Sequence, residues 1–448
     1  MKLWFFLMAT VVGGAGICPA GERSDALHGW WNGRGASGEW FGARESIEEH
    51  GLTLSGKWLG TVYGVVGGGR EHRATFDEEL KFEARLDFAK ATGWAMLEGL
   101  SAAGAVRFRD GTDVDKYVGA SPGFNPSSYQ SGKQWRLMPF YLSYTMPELF
   151  GIRNLATVSG GWLNPYEIFA RQEDIKLFRN LIFASKGISS NGVGWSSSYA
   201  SWGGALKVAP RDWMYAQGGI YMAIPGDCSN NNHGLELAGA RPWNSNGWFA
   251  LGETGVMPKM AGLPGKYAVG GYYWGLENTS FFGATYDGKY GLYAMAEQTL
   301  YREPAPEPAS PGGMPADGKS QVVASPLKPS NQGLRWLGFV NYAPKYDNCL
   351  PFFFYSGLVY EGLIPTRDRD QAGVALAFGD YSDDQIFADR EAGRQVVDTY
   401  EGVLEFEYRC QVNKWSYVQP FVQYVIRPGG DGQVANATVL GVHFGVSF

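Results

Sequence analysis

Charged side chains recur at every second position of segment 76–89 and could contact a polar solute. The positions are Glu79, Lys81, Glu83, Arg85 and Asp87, and the intervening residues are apolar. Because successive strand side chains point to opposite faces, these charges share one face. In a soluble sheet that face would meet water. In a membrane barrel it must face the interior, since a charge against lipid costs roughly 2–4 kcal/mol at mid-depth. The column either contacts a solute or merely neutralises itself, and both readings stay open.

Three further strand-like segments carry polar side chains on one face. They contribute Arg107 and Arg109 in 100–109, Glu405, Glu407 and Arg409 in 401–411, and Gln419 and Gln423 in 416–427. Tyr417 and Phe421 lie on the same face as the two glutamines. Amides and guanidinium groups hydrogen-bond to hydroxyls, and aromatic rings pack against the C–H face of a sugar. Segment 416–427 therefore predicts a wall suited to carbohydrate, while the charged residues of 100–109 and 401–411 are candidates for the lumen wall that either neutralise one another or contact a solute.

The connection 165–194 is long and polar at its start. Its charged residues include Glu167, Arg171, Glu173 and Arg179. Such a loop could fold into a barrel and constrict the pore, and these four residues are the candidates for that constriction. It could equally stay on the outer surface, and the sequence alone does not decide between these two positions.

The sequence contains no residue pattern typical of a catalytic or metal-binding site. A glycosidase needs two carboxylates about 5–10 Å apart across its substrate, whereas Glu405 and Glu407 point the same way from one strand. The five histidines have no ligand spacing, and the cysteines match no metal motif. We therefore expect no catalytic residue, no metal and no cofactor. The net charge of -6, without any Lys/Arg cluster, argues against nucleic acid as a partner.

The elements that carry these residues are read as strands. The last of them alternates strictly, with Leu440, Val442, Phe444, Val446 and Phe448 on one face. A strand that ends without a cap needs a neighbour on each side, as the closing strand of a barrel has. The sixteen predicted strands are 52–66, 76–89, 100–109, 134–146, 154–164, 195–208, 213–224, 247–257, 266–276, 289–301, 334–343, 352–362, 371–380, 401–411, 416–427 and 437–448. The predicted fold is an all-β, 16-stranded antiparallel transmembrane barrel.

Residues before the barrel have other roles. Residues 1–20 combine Lys2, an apolar stretch and small residues, which is the pattern of a signal peptide removed on export. Segment 21–51 carries a short helix over 40–51, on the periplasmic side, with Gly51 as its stop. The barrel then spans 52–448. These features predict the outer membrane of a Gram-negative bacterium.

Strand parity assigns the connections to the two sides of the membrane. With both termini in the periplasm, 110–133, 225–246, 344–351 and 381–400 become outer loops, while the periplasmic turns are short. The Pro-rich stretch 304–333 is the exception: either it is a periplasmic appendage or the parity is shifted. Cys228 and Cys349 fall in outer loops and Cys410 near the opposite rim, so Cys410 should pair with neither. Whether Cys228 and Cys349 pair stays open.

Several motifs, in order and spacing, resemble one known family. They are Gly38-Glu39-Trp40-Phe41-Gly42-Ala43-Arg44, Tyr290-Gly291-Leu292-Tyr293, Tyr301-Arg302-Glu303-Pro304, Gly362-Leu363-Ile364-Pro365, Phe406-Glu407-Tyr408, and Gln419-Pro420 through Arg427-Pro428-Gly429-Gly430. Together they are similar to the carbohydrate-selective porins of the OprB type. The long 304–333 stretch and Cys410, where an aromatic is usual, depart from the family pattern.

The resemblance implies passive, diffusive uptake of monosaccharides such as glucose. By position it would place Arg107, Arg109, Glu79, Glu83 and Arg85 on the pore wall. It also implies that the barrel-assembly machinery reads the terminal Phe448. The expected partners are sugars and outer-membrane lipid, with a homo-oligomer left open. A general porin without selectivity is the alternative reading, and a secreted β-rich carbohydrate-binding protein is a more distant one.

Overall fold

The computed structural model describes residues 28–127, 133–195, 200–223, 247–304, 332–394 and 400–448. Sixteen long strands form its wall. They are β1 (Leu52–Gly67), β2 (Ala74–Asp87), β3 (Leu100–Gly111), β4 (Gln134–Thr145), β5 (Ala156–Leu163), β6 (Ser201–Arg211), β7 (Met214–Met222), β8 (Trp248–Val256), β9 (Leu263–Gly275), β10 (Lys289–Arg302), β11 (Gly333–Tyr342), β12 (Phe352–Glu361), β13 (Gln371–Asp380), β14 (Tyr400–Gln411), β15 (Ser416–Ile426) and β16 (Ala437–Ser447). The predicted 16-stranded fold is confirmed.

Neighbouring strands pair antiparallel around the whole circumference. The wall closes where β1 pairs with β16, with Lys57 opposite Ser447 and Gly64 opposite Leu440. Closure leaves no unpaired strand edge, which is the condition for a sheet surrounded by lipid. A two-residue strand, Lys259–Met260, extends the hairpin between β8 and β9.

Short helices and turns occupy the strand ends. The helices are α1 (Ala43–Glu49), α2 (Phe88–Thr92), α3 (Asp115–Val118), α4 (Leu181–Ser185) and α5 (Asp383–Glu391). The predicted N-terminal helix is α1, and Gly51 follows it with a φ of 85°. A side chain at this glycine would begin 2.6 Å from the Asp87 carbonyl oxygen, so the turn into β1 requires glycine. None of the helices in the described ranges is long and apolar enough to cross a membrane.

The N-terminal segment packs on the final strand. The Ala36 N–H donates to the Ser447 carbonyl at 2.8 Å, and Arg44 donates to the Phe448 backbone oxygen at 3.2 Å. Trp30 lies 5.0 Å, ring to ring, from Trp415 in the turn between β14 and β15. The two ends of the described chain therefore meet at one rim of the barrel.

Alternation separates an apolar outer surface from a polar or packed interior. On β3 the outward Val106 is 44 % exposed, whereas the inward Arg107 is 5 % exposed. On β16 the outward Leu440 is 44 % exposed, while His443 is fully buried between Thr61 and Tyr417. The face assignment predicted for the final strand holds.

The structure differs from the prediction at the start of β6 and shows the state of two cysteines. The predicted strand 195–208 begins only at Ser201, because Trp195 lies in the barrel interior against Tyr166. Cys349 and Cys410 are free thiols, and the Cys349 thiol donates to the Ser190 carbonyl. The predicted leader 1–20, Cys228 and most of the Pro-rich stretch, 305–331, lie outside the described residues.

The outward and inward faces of β3 provide a matched test of orientation. We expect Val106→Arg to lower the free energy of unfolding by roughly 2–4 kcal/mol, because it puts a charge against lipid near mid-strand. The control Ala103→Arg puts the same charge on the inward face, where it meets water. Urea unfolding in lipid vesicles, followed by tryptophan fluorescence, measures both. Equal destabilisation by the two substitutions would contradict the assignment of faces.

Candidate functional site

The long connection after β5 folds into the barrel. This inner loop comprises residues 164–195, and its Phe169, Ile182, Phe183 and Ile188 are fully buried. The Phe183 ring lies 5.7 Å from that of Tyr355 on the inner face of β12. Apolar side chains of the loop thus complete a core inside the barrel.

Carboxylates and amides on β14 and β15 hold the inner loop in place. Glu405, fully buried, accepts the backbone N–H groups of Arg179 at 2.5 Å and Asn180 at 3.0 Å. Gln419 donates to the Leu177 carbonyl at 2.8 Å and also to Glu407. Since these loop N–H groups have no strand partner inside a barrel, the side chains replace the missing ladder.

A second set of contacts holds the other side of the loop. Glu253 on β8 accepts the Ala170 N–H at 2.6 Å and the hydroxyls of Tyr215 and Tyr293 at 2.7 and 2.8 Å. Gln172 of the loop donates to the Ala296 carbonyl at 3.0 Å and the Gly338 carbonyl at 3.1 Å, and its amide oxygen accepts the Tyr355 hydroxyl. The sequence reasoning did not select these groups. A lone carboxylate on the otherwise apolar inner face of 249–253 was the available signal for Glu253.

A second connection supports the inner loop. Outer loop 2, the described residues 112–127, inserts the fully buried Phe124, and its Asn125 carbonyl accepts the Leu181 N–H at 2.9 Å. Ser121 donates to Glu401 of β14 at 2.7 Å. In this loop, burial and the neighbouring Asp113 raise the pKa of Asp115 to about 7. The sequence placed this connection outside the barrel and gave no sign of its inward packing.

A cavity of about 740 Å³ remains between the inner loop and the opposite wall. Its lining combines small, hydroxylated, aromatic and charged residues, including Thr53, Ser55, Lys81, Glu83, Arg85, Tyr141, Ser159, Asn164, Tyr166, Glu167, Arg171, Lys176 and Lys186. Lys81 contacts Glu83 at 2.7 Å and reaches Glu167 on the loop at 3.9 Å. The Lys81–Glu167 pair joins the wall to the loop across this space.

The upper part of the charged column is buried and partly neutralised, with one carboxylate between two guanidinium groups. Glu79 accepts from Arg109 at 2.6 Å and lies 3.6 Å from Arg107. All three side chains are at least nine-tenths buried. Burial removes water from these charges, and their attraction to one another offsets that cost. The cluster is therefore better placed to hold the strands together than to contact a solute.

The predicted site residues therefore fall into separate groups. Lys81, Glu83, Arg85, Glu167 and Arg171 line the cavity. Glu79, Arg107 and Arg109 form the buried ion-pair cluster, while Glu405, Glu407, Gln419, Gln423 and Arg179 lie at the loop anchor. Gln419 and Gln423 are fully buried beneath the two loops, so they differ from the predicted sugar-contacting pair. Glu173 pairs with Arg171 and Lys176, and Arg409 donates to Gln419 at 2.6 Å.

Removal of the Glu405 carboxylate tests the loop anchor. Glu405→Ala leaves two buried N–H groups without an acceptor, at about 1–3 kcal/mol each. We expect the variant to fold as a barrel but to cleave faster with trypsin after Arg179 and to give noisier single-channel currents. Glu98→Ala, in an exposed turn, serves as the control and should behave as the parent. Unchanged cleavage and current noise in Glu405→Ala would contradict the anchoring role.

The sequence is similar to those of known porins. The profile of the family described as "Carbohydrate-selective porin, OprB family" matches residues 71–448. Porin B of Pseudomonas aeruginosa is 24% identical over 462 aligned residues, which cover 96% of this chain and 94% of that protein. The putative porin QuiX of Acinetobacter baylyi is 23% identical and covers 92% of each chain.

A solved structure supports the fold independently. The high-pH structure of Pseudomonas putida OprB superimposes with a TM-score of 0.78 at 22% identity and covers 93% of this chain and 99% of that one. At this identity the likeness concerns the barrel architecture alone. The family profile spans most of the chain, from β2 onward through β16. The chain therefore belongs to the OprB family of carbohydrate-selective porins.

Proposed function

We propose that this chain forms a passive, diffusive pathway for monosaccharides such as glucose across the outer membrane. Family membership indicates a channel of the outer membrane. The observation that supports passage of monosaccharides is the water-accessible cavity between the inner loop and the β1–β5 wall. It is the space through which a solute of sugar size would pass.

The chemistry of the cavity lining suits polyhydroxylated solutes. Hydroxyls of Ser55 and Ser159 and the amide of Asn164 both donate and accept hydrogen bonds, as sugar hydroxyls do. Tyr141 and Tyr166 supply ring faces in the same cavity. Exposed polar groups exchange solute for water at little net gain, and transport requires such weak binding because the solute must leave again.

A general porin without sugar selectivity is the second candidate. The water-exposed charges Glu83 and Arg85 support it, because they can interact with small ions and amino acids as readily as with sugars. The two candidates differ in solute discrimination and not in architecture. Proteoliposomes that take up glucose several-fold faster than glutamine would support the carbohydrate pathway. Equal rates for the two solutes would instead support the general porin.

The contact between Lys81 and Glu167 offers a direct test of the pathway. We expect Glu167→Ala to raise the single-channel conductance and glucose flux, because it removes the loop side of the contact that crosses the cavity. The anion share of the current should rise with it, since a negative charge is lost. Glu98→Ala again provides the control. A pathway elsewhere in the barrel would leave conductance unaffected by the Glu167 substitution.

We also propose roles for the two ends of the chain and for its Pro-rich stretch. Residues 1–20 would act as the export signal, and 304–333 as a periplasmic appendage. The barrel-assembly machinery would read the final strand ending at Phe448 before the N-terminal segment covers it. Homo-oligomers remain compatible with the apolar outer surface.

A further inference from the structure

Cations without an acidic partner line the lower wall of the lumen. Thr53, Ser55 and Lys57 of β1 and Glu83 and Arg85 of β2 are exposed on the inward face. No ion pair among the described residues involves Arg85 or Lys57. The Lys57 ammonium instead lies 5.9 Å from the Tyr417 ring. The Arg85 guanidinium in the cavity lining is therefore available to a solute, and Lys57 adds a second positive charge on the neighbouring strand.

The acidic side chains around the same space are already engaged. Glu83 pairs with Lys81 at 2.7 Å, and Glu173 pairs with both Arg171 and Lys176. Across the lumen, Asp174 and Glu361 share Arg335 at 2.7 and 3.2 Å, and Glu297 accepts the Glu173 N–H at 3.0 Å. Each acid thus has a cation or a donor, whereas the positive charge on β1 and β2 is in excess.

The strand register extends this positive charge over four neighbouring strands. Lys57 stands opposite Lys81, Lys81 opposite Arg107, and Arg107 opposite Arg136. All four are inward-facing positions on the same hydrogen-bonded row. The chain as a whole has a formal net charge of -6, so composition does not explain a basic row inside the barrel.

We propose that the pore favours anionic carbohydrates, specifically a sugar ring that carries one carboxylate, over neutral sugars. This inference rests on the proposed carbohydrate pathway and names the class of solute. The planar Arg85 guanidinium can take a carboxylate through two parallel hydrogen bonds. Ser55 and Thr53, directly beside it in the cavity lining, present hydroxyls to the ring. Excess positive charge raises the local concentration of the anion, and water in the lumen keeps its binding weak.

Three pyranoses of nearly equal size but different charge test the proposal. Potassium glucuronate, glucose and glucosamine hydrochloride are each loaded into proteoliposomes of the full chain, with equal KCl in every sample and valinomycin to clamp the membrane potential. At low salt we expect glucuronate to exit first and glucosamine last, separated by at least about threefold, since charge steering changes rates by tenfold or more. The difference should shrink in about 1 M salt, where charges are screened beyond roughly 3 Å. Equal rates at low salt, or glucosamine ahead, overturn the proposal.

Variants of the unpaired cations locate the effect. Arg85→Gln should lower the glucuronate-to-glucose flux ratio, Arg85→Lys should retain most of it, and the double substitution with Lys57→Gln should bring it near one. Lys90→Gln, on the exposed helix α2 outside the lumen, is the matched control and should keep the parental ratio. Heat-modifiable gel mobility confirms folding of each barrel. A ratio unchanged in the double variant would contradict the assignment to these residues.

Failure of this inference is distinguishable from failure of the proposed function. Glucose that passes faster than glutamine, with glucuronate no faster than glucose, would overturn only the anionic preference. Glucose no faster than glutamine would overturn the carbohydrate pathway itself.

Discussion

A wall of sixteen strands encloses more space than its own inward side chains can fill, and the interior of this protein follows from that constraint. The inner loop fills one side with apolar residues such as Phe169 and Phe183, which pack against the strands from β7 onward. Against β1–β5 it leaves a polar cavity. The position of the loop, rather than the diameter of the barrel, therefore sets the size of this cavity.

Bringing backbone into a barrel creates a hydrogen-bonding problem. Loop N–H groups that leave water without an acceptor cost about 1–3 kcal/mol each. Glu405 meets this cost by accepting two of them, and Glu253 accepts one together with two tyrosine hydroxyls. Acidic residues on the inner face thus do two different jobs, depending on whether the loop covers them. Glu83, which the loop does not cover, instead stays exposed and pairs with Lys81.

Whether a feature could be predicted from the sequence depends on how far apart along the chain the residues that form it lie. Strand alternation is a local property with period two, so it identified all sixteen strands and the faces of β2, β14 and β16. The inward path of 164–195 depends on contacts with strands over a hundred residues away, as between Arg179 and Glu405. For the same reason Gln419 and Gln423 could be assigned to the interior, but their cover by two loops could not be foreseen. Glu253 went unnoticed because one carboxylate makes no pattern.

The loop anchors also bear on the distribution of charge inside the barrel. Glu253, Glu401 and Glu405 accept donors from the inward-packed connections and lie buried away from the cavity. Acidic side chains are thereby drawn into holding the loops, and others, such as Glu83, Glu173 and Asp174, pair with lysine or arginine. Arg85 in the cavity lining and Lys57 beside it form no ion pair among the described residues, so neither is committed to an acidic partner. A chain with more acidic than basic residues can in this way enclose a lumen whose free charges are positive.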